Sequence, residues 1–162
     1  MLKWRQLFVS SQVQGISKFF LSLIQAYLTN ISKEKQLISY SEELEILFHL
    51  IGLYNAMQTR NIQLENNVKD EFLVIPSSLL FIVQQLIRTT LASKEIKIKL
   101  VFSASKENLE IKTTKYDKLN TLFTSNNLES INKTLSVYSS KSIKLQEDTE
   151  CRTILIPKLN LQ

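Results

Sequence analysis

The sequence predicts an α+β protein, with a helical part over residues 1–60 followed by an α/β sandwich with a mixed sheet over residues 61–162. Three observations predict it. Apolar residues recur at helical spacing up to Arg60 and at alternate positions in most segments after it. Helical stripes return between the alternating segments, so strands and helices interleave while β-hairpins recur. Finally, 162 residues of 44% hydrophobic composition suit one compact unit, or two small subdomains sharing a core.

Taken in order, Leu2–Gln14 is a short amphipathic segment carrying Trp4, Leu7, Phe8 and Val13, and Gly15 is expected to break it. Ile16, Phe19, Phe20, Leu23, Ile24 and Tyr27 then follow helical spacing, and Thr29–Gln36 forms a polar connector. The next helix is expected to open at Ser41 as N-cap, with Glu42 and Glu43 in the first turn, where the helix dipole favours acids. It runs to about Arg60 without proline and has two apolar faces. One carries Leu44, Leu47, Phe48 and Ile51; the other carries Ile46, Leu50, Leu53 and Met57. A helix apolar over this much of its girth must be covered on more than one side. A helical partner or a second subunit is the cover expected here, hence self-association through the helical half.

After Arg60 the period changes. NIQLENNV alternates as a strand, and Val74-Ile75-Pro76 ends an extended stretch. Ser77 or Ser78 caps a helix with the inner stripe Leu79, Leu80, Ile82, Val83, Leu86 and Ile87. EIKIKLVF and NLEIKTT read as a strand pair joined by the turn SKEN. Leu128, Ile131, Leu135 and Tyr138 mark another helix, and SIKLQED and RTILIPKL are two closing strands.

Composition excludes several function classes. The net charge is +5 and the pI about 9.3, but the lysines are scattered, and Lys97 and Lys99 alternate with apolar residues as the solvent face of a strand. Nucleic-acid binding is therefore not expected. No run reaches the roughly 18 apolar residues of a membrane helix, and the N-terminus does not read as a signal peptide. One cysteine, Cys151, excludes an internal disulfide framework and fits a reducing compartment, so a cytoplasmic location is expected. Only two glycines occur, Gly15 and Gly52. Phosphate-cradling loops use glycine for positive φ and for close backbone approach, and no such loop can be written with these two.

Four segments carry a resemblance. LISYSEELEILFHLIGLYNAMQTRNIQL, IPSSLLFIVQQLIRTTLASKE, TSNNLESINKTLSVY and IKLQEDTECRTILIPKL, in this order, resemble the LytS-type sensor histidine kinases. In that family an internal-region domain precedes an ATP-binding domain of the gyrase/Hsp90/histidine-kinase/MutL type. The resemblance implies a histidine-kinase-like fold with a helical dimerisation part, and it also shows where the chemistry departs. Arg5, in WRQLFV, stands where the family has its phosphoacceptor histidine. A neutral imidazole can attack a phosphoryl group, whereas a guanidinium stays protonated and cannot. The family's Glu-Asn pair, acid–base glutamate and magnesium-binding asparagine, aligns with Gln84 and Gln85, or with Gln85 and Leu86 if no residue is deleted upstream. The adenine-reading acid aligns with Thr113 or Thr114, with Asp117 nearby but out of register. The lid glycines align with Ser125, Asn126 and Asn127.

These departures imply a catalytically inactive, histidine-kinase-like interaction module without a nucleotide or metal cofactor. Its implied partners are a second copy, an active histidine kinase or a response regulator. The alternative is an active kinase, or a phosphotransfer protein using His49. As the sole histidine, His49 lies between Phe48 and Leu50 and reads more simply as a packed or interfacial residue. Cys151 reads as a buried strand residue, Glu42, Glu43 and Glu45 as helix N-terminal charges, and Glu147 and Asp148 as turn residues. Trp4, Phe19 and Phe20 read as core or dimer contacts.

Overall fold

The structure is a computed structural model that describes residues 18, 20, 21, 24, 25, 37–57, 61–90, 96–116 and 122–159. Along these run β1 (Ile38–Ser39), α1 (Tyr40–Ala56), β2 (Asn61–Asn66), β3 (Leu73–Val74), α2 (Ser78–Thr89), β4 (Lys97–Ala104) and β5 (Asn108–Thr114). A 3-10 turn at Ser125–Leu128 then leads into α3 (Glu129–Leu135), followed by β6 (Lys144–Glu147) and β7 (Cys151–Pro157).

The alternating segments pair into a five-stranded sheet of order β2-β4-β5-β7-β6. β2 and β4 are parallel, as a crossover through α2 requires, and the other pairs are antiparallel. Alternation sorts the side chains. Ile62, Ile98, Leu100, Phe102, Leu109, Ile111, Ile154 and Ile156 are buried on one face, while Lys97, Lys99, Lys112 and Lys144 are exposed on the other. One face thus meets the helices and the other meets water, which is the expected α/β sandwich with a mixed sheet. β1 and β3 form a separate antiparallel pair, and Leu73 also bridges to Leu159.

α1 differs from its sequence reading in two ways. Its N-cap is Ser39 rather than Ser41, because Ser39 closes a capping box. The Ser39 hydroxyl accepts from the Glu42 N–H, and the Glu42 carboxylate accepts from the Ser39 N–H, both at 3.2 Å. The Ser41 N–H instead donates to Glu71 at 3.1 Å. Its cover is also internal. Ile46, Leu47, Leu50 and Ile51 are buried in the same core as the sheet, and α1 lies against both α2 and β2. Both apolar faces are thus largely satisfied within one chain, leaving Phe48 and Met57 each 49% exposed. Among the described residues, α1 therefore packs with the sandwich. Of residues 1–36, only Lys18, Phe20, Leu21, Ile24 and Gln25 are described, all helical and exposed. Leu2–Gln14, including Trp4 and Arg5, and the connector Thr29–Gln36 lie outside the described residues, as do Phe19 and Asp117.

α2 buries the whole expected stripe from Leu79 to Ile87. Its N-cap Ser77 has φ 63° and makes no side-chain capping bond. The buried carboxylate of Glu43, reaching across from α1, does that work. It accepts from the N–H of Ser77 at 2.9 Å and of Leu80 at 3.1 Å, and also from that of Leu79. The Ser78 N–H donates to the Ile75 carbonyl, so the free donors at the helix start are all accounted for.

Asparagine amides close both flanks of the sheet. Asn55 donates to the Ile62 carbonyl and accepts from its N–H, both at 2.9 Å. Asn132 does the same for Ile143, just before β6, at 3.4 and 2.7 Å.

Candidate functional site

β5 ends at the point where the resemblance puts an adenine-reading acid. There Thr113 lies opposite Leu100 of β4 and Arg152 of β7, and Arg152 lies opposite Glu147 of β6. Residues directly opposite share a face, so Thr113, Arg152 and Glu147 form one row on the inner face. Two residues further along each strand the row becomes apolar: Ile111, Ile154 and Leu145.

Arg152 is only 2% exposed. A buried cation is tolerated when it is paired and hydrogen-bonded. Its Nε donates to Glu147 Oε1 at 2.6 Å, and its Nη2 donates to the Phe123 carbonyl at 3.4 Å. The guanidinium also sits 5.0 Å from the centre of the Phe123 ring, within cation–π range. Lys115 Nζ approaches Glu147 Oε2 at 3.7 Å. The Thr113 hydroxyl is buried and donates to the Thr114 carbonyl at 3.4 Å. Thr114 is half-buried on the opposite face.

Residues 122–128 close over this end of the sheet. Phe123 and Leu128 are buried, and Ser125 and Asn126 are exposed. The half-buried Asn127 turns its amide oxygen back to accept the Thr124 N–H at 2.8 Å, and its own N–H donates to the Thr124 carbonyl at 3.0 Å. The 3-10 turn contacts α2, the helix that carries the half-buried Gln84 and Gln85. The 3-10 turn thus meets α2, and the segment before it reaches the Thr113–Arg152–Glu147 row through Phe123.

The resemblance would assign Mg-ATP contacts to these positions. Neither Gln84 nor Gln85 supplies a carboxylate. The Asn127 oxygen is engaged inside its own turn, and a threonine occupies the β5 position beside a buried arginine. Among the described residues, no group of three or more His, Cys, Asp and Glu side chains is placed to hold a metal ion.

The other sequence candidates lie elsewhere. His49 is half-exposed on α1, with Nε2 4.0 Å from Glu45 Oε1 one turn back. Cys151, half-buried, begins β7. Asp148 does sit in a turn, and its carboxyl is held below the usual range by bonds from the Cys151 and Glu150 N–H groups. Glu147 is a strand residue instead, paired with Arg152. Glu43 is not a solvated charge. It is 0% exposed, and burial pushes its carboxyl above the usual range against the opposing pull of three N–H donors. An open pocket of about 420 Å³ is lined by Glu107, Asn108, Lys141, Lys144, Gln146 and Leu155, and none of the sequence-derived candidates lines it.

Sequence reasoning missed Arg152 and Phe123. The signal for Arg152 was its parity with Ile154 and Ile156, which places it inward. No comparable signal marked Phe123.

No family model matches the chain, and no curated protein is significantly similar to it. Among solved structures it is similar to the Acinetobacter baumannii histidine kinase AdeS, at 11% identity and a TM-score of 0.50 over 97% of this chain and 84% of that one. It is also similar to the catalytic domain of the histidine kinase ThkA in two nucleotide-free crystal forms, at 11% and 10% identity and a TM-score of 0.53 in each. Those matches cover 76% and 78% of this chain and 99% and 100% of the ThkA chains. The shared feature is architecture: the chain has the fold of a histidine-kinase catalytic domain.

Proposed function

We propose that this chain is a catalytically inactive member of the LytS-type histidine kinases that acts in two-component signalling by binding other proteins. The observation that carries this reading is the Thr113–Arg152–Glu147 row with Phe123 set on its cation. It puts a hydroxyl, an ion pair and an aromatic ring at the sheet end where the resemblance calls for an acid reading adenine. Gln84 and Gln85 support it, since an amide cannot take a proton from a nucleophile at neutral pH. The self-closed Asn127 turn supports it as well. Arg5 at the phosphoacceptor position would leave no residue to receive a phosphoryl group there.

Binding and shape remain as the mode of action. A second copy or an active histidine kinase is the proposed partner, with a response regulator as a further one. Exposed Phe20, Leu21 and Ile24 on a helical segment, and Phe48 and Met57 on α1, are apolar groups suited to such contacts.

The test is calorimetry with a non-hydrolysable ATP analogue and magnesium, together with labelling by radioactive ATP. No binding tighter than a Kd of about 1 mM, or about 4 kcal/mol, is expected. Tighter binding would overturn the reading. The half-exposed His49 supports one rival, phosphotransfer at that imidazole. Acid-labile label present in the native protein and absent from His49→Ala would establish that rival instead.

A further inference from the structure

We infer that Arg152 and Phe123 form an internal latch that holds residues 122–128 closed on the end of the sheet without a ligand. The strand pattern explains why Arg152 stands out. It occupies an inward position, in line with Ile154 and Ile156, where β7 otherwise presents apolar side chains. An arginine there is costly to bury unless its charge and donors are engaged.

Its partners come from two directions. Glu147, on the neighbouring strand, holds the guanidinium by its edge at 2.6 Å. Phe123, from the covering segment, sets its ring centre 5.0 Å from the guanidinium carbon and offers its carbonyl to Nη2 at 3.4 Å. A planar guanidinium can donate in its plane and stack at the same time, which an ammonium cannot. Glu147 therefore anchors the cation to the sheet, and the cation anchors the segment. The far end is fixed separately by Leu128 in the core and by contact between the 3-10 turn and α2. With both ends pinned, the Thr124 and Asn127 N–H groups bond within the segment, and the Glu129 N–H bonds back to the Asn126 carbonyl.

The latch goes beyond the proposed function and does not depend on it, because it concerns the protein with no nucleotide present. The test is hydrogen exchange of the full chain without nucleotide, read at the amides of Thr124, Asn127 and Glu129. They should be protected in the native protein. Arg152→Met should raise their exchange by about tenfold or more while β4 and β5 amides keep their protection, the mark of a local opening. Arg152→Lys, which keeps the charge but loses the fork and the stacking plane, should also open the segment. If Arg152→Met does not fold, Phe123→Leu carries the same expectation from the other side of the contact. Unprotected amides in the native protein would overturn the latch, as would native-like protection in a folded Arg152→Met or Phe123→Leu variant. Nucleotide binding found by calorimetry would sink the proposed function and leave this result untouched.

Discussion

Glu43 offers the most direct test of how the helices are joined. Its carboxylate is fully buried and accepts the Ser77, Leu79 and Leu80 N–H groups at the start of α2. Glu43→Ala would strand these donors in a buried site, at about 1–3 kcal/mol for each unsatisfied group. Two effects offset part of that. The carboxylate's own desolvation cost disappears, and the space vacated can admit water to some donors. A net loss of about 2–4 kcal/mol follows, at or above the upper end for removal of a helix cap. For a domain of this size that lowers Tm by roughly 5–15 °C. The pH dependence has a defined sign. Burial raises the Glu43 pKa, so the folded state holds its proton more tightly than the unfolded chain. Glu43's contribution relative to Glu43→Gln is therefore complete below the ordinary glutamate range and declines as pH rises through the raised value. Urea denaturation of native protein, Glu43→Ala and Glu43→Gln across that range measures both effects. A loss under about 0.5 kcal/mol in Glu43→Ala, or a Glu43 contribution that grows with pH, would refute the reasoning.

Two further outcomes are expected. Asn55→Leu removes two bonds to the β2 backbone, both at 2.9 Å, and Asn132→Leu removes two to the backbone of Ile143 just before β6, at 3.4 and 2.7 Å. Each should cost about 1–3 kcal/mol in urea denaturation and increase concentration-dependent association through the unmasked edge. If α1 contributes to a dimer, native protein should sediment as a dimer at micromolar concentration, and Phe48→Asp should weaken the dimer at least about tenfold; a native monomer would remove α1 from the partner surface.

The fold was legible wherever it depended on neighbours in sequence. The α2 stripe and the β4–β5 hairpin follow from local periodicity, and both formed where the pattern placed them. The α1 start was two residues off because Ser39 and Ser41 both suit an N-cap. The capping box decides between them, since only Ser39 has a glutamate three residues on. Periodicity gave the apolar girth of α1 but not what covers it, because a sheet and a second subunit demand the same stripe. Glu43 was unreadable for a different reason. Its partners lie 34 and 37 residues away, and nothing local separates a first-turn acid from a tertiary cap. At the candidate site, the sequence named Gln84, Gln85, Thr113 and Ser125–Asn127, but the ion pair that organises the sheet end depends on the pairing of β6 with β7.

The scarcity of glycine acquires a structural meaning in the turn at Ser125–Leu128. Serine enters the left-handed region that a glycine lid can use only at a steric cost, and asparagine enters it less freely than glycine. Here they are not asked to enter it. Among the described residues only Ser77 has positive φ, and Glu43 secures the backbone there. The 125–128 segment instead takes a right-handed 3-10 turn whose donors point inward, from Thr124 to the Asn127 side chain and from Asn127 to the Thr124 carbonyl. Those amides are thus already bonded within the segment, at about 1 kcal/mol for each bond. A conformation that needs no glycine and a turn whose amides are already bonded thus have the same origin, a loop whose hydrogen bonds and charge contacts are completed from within the chain.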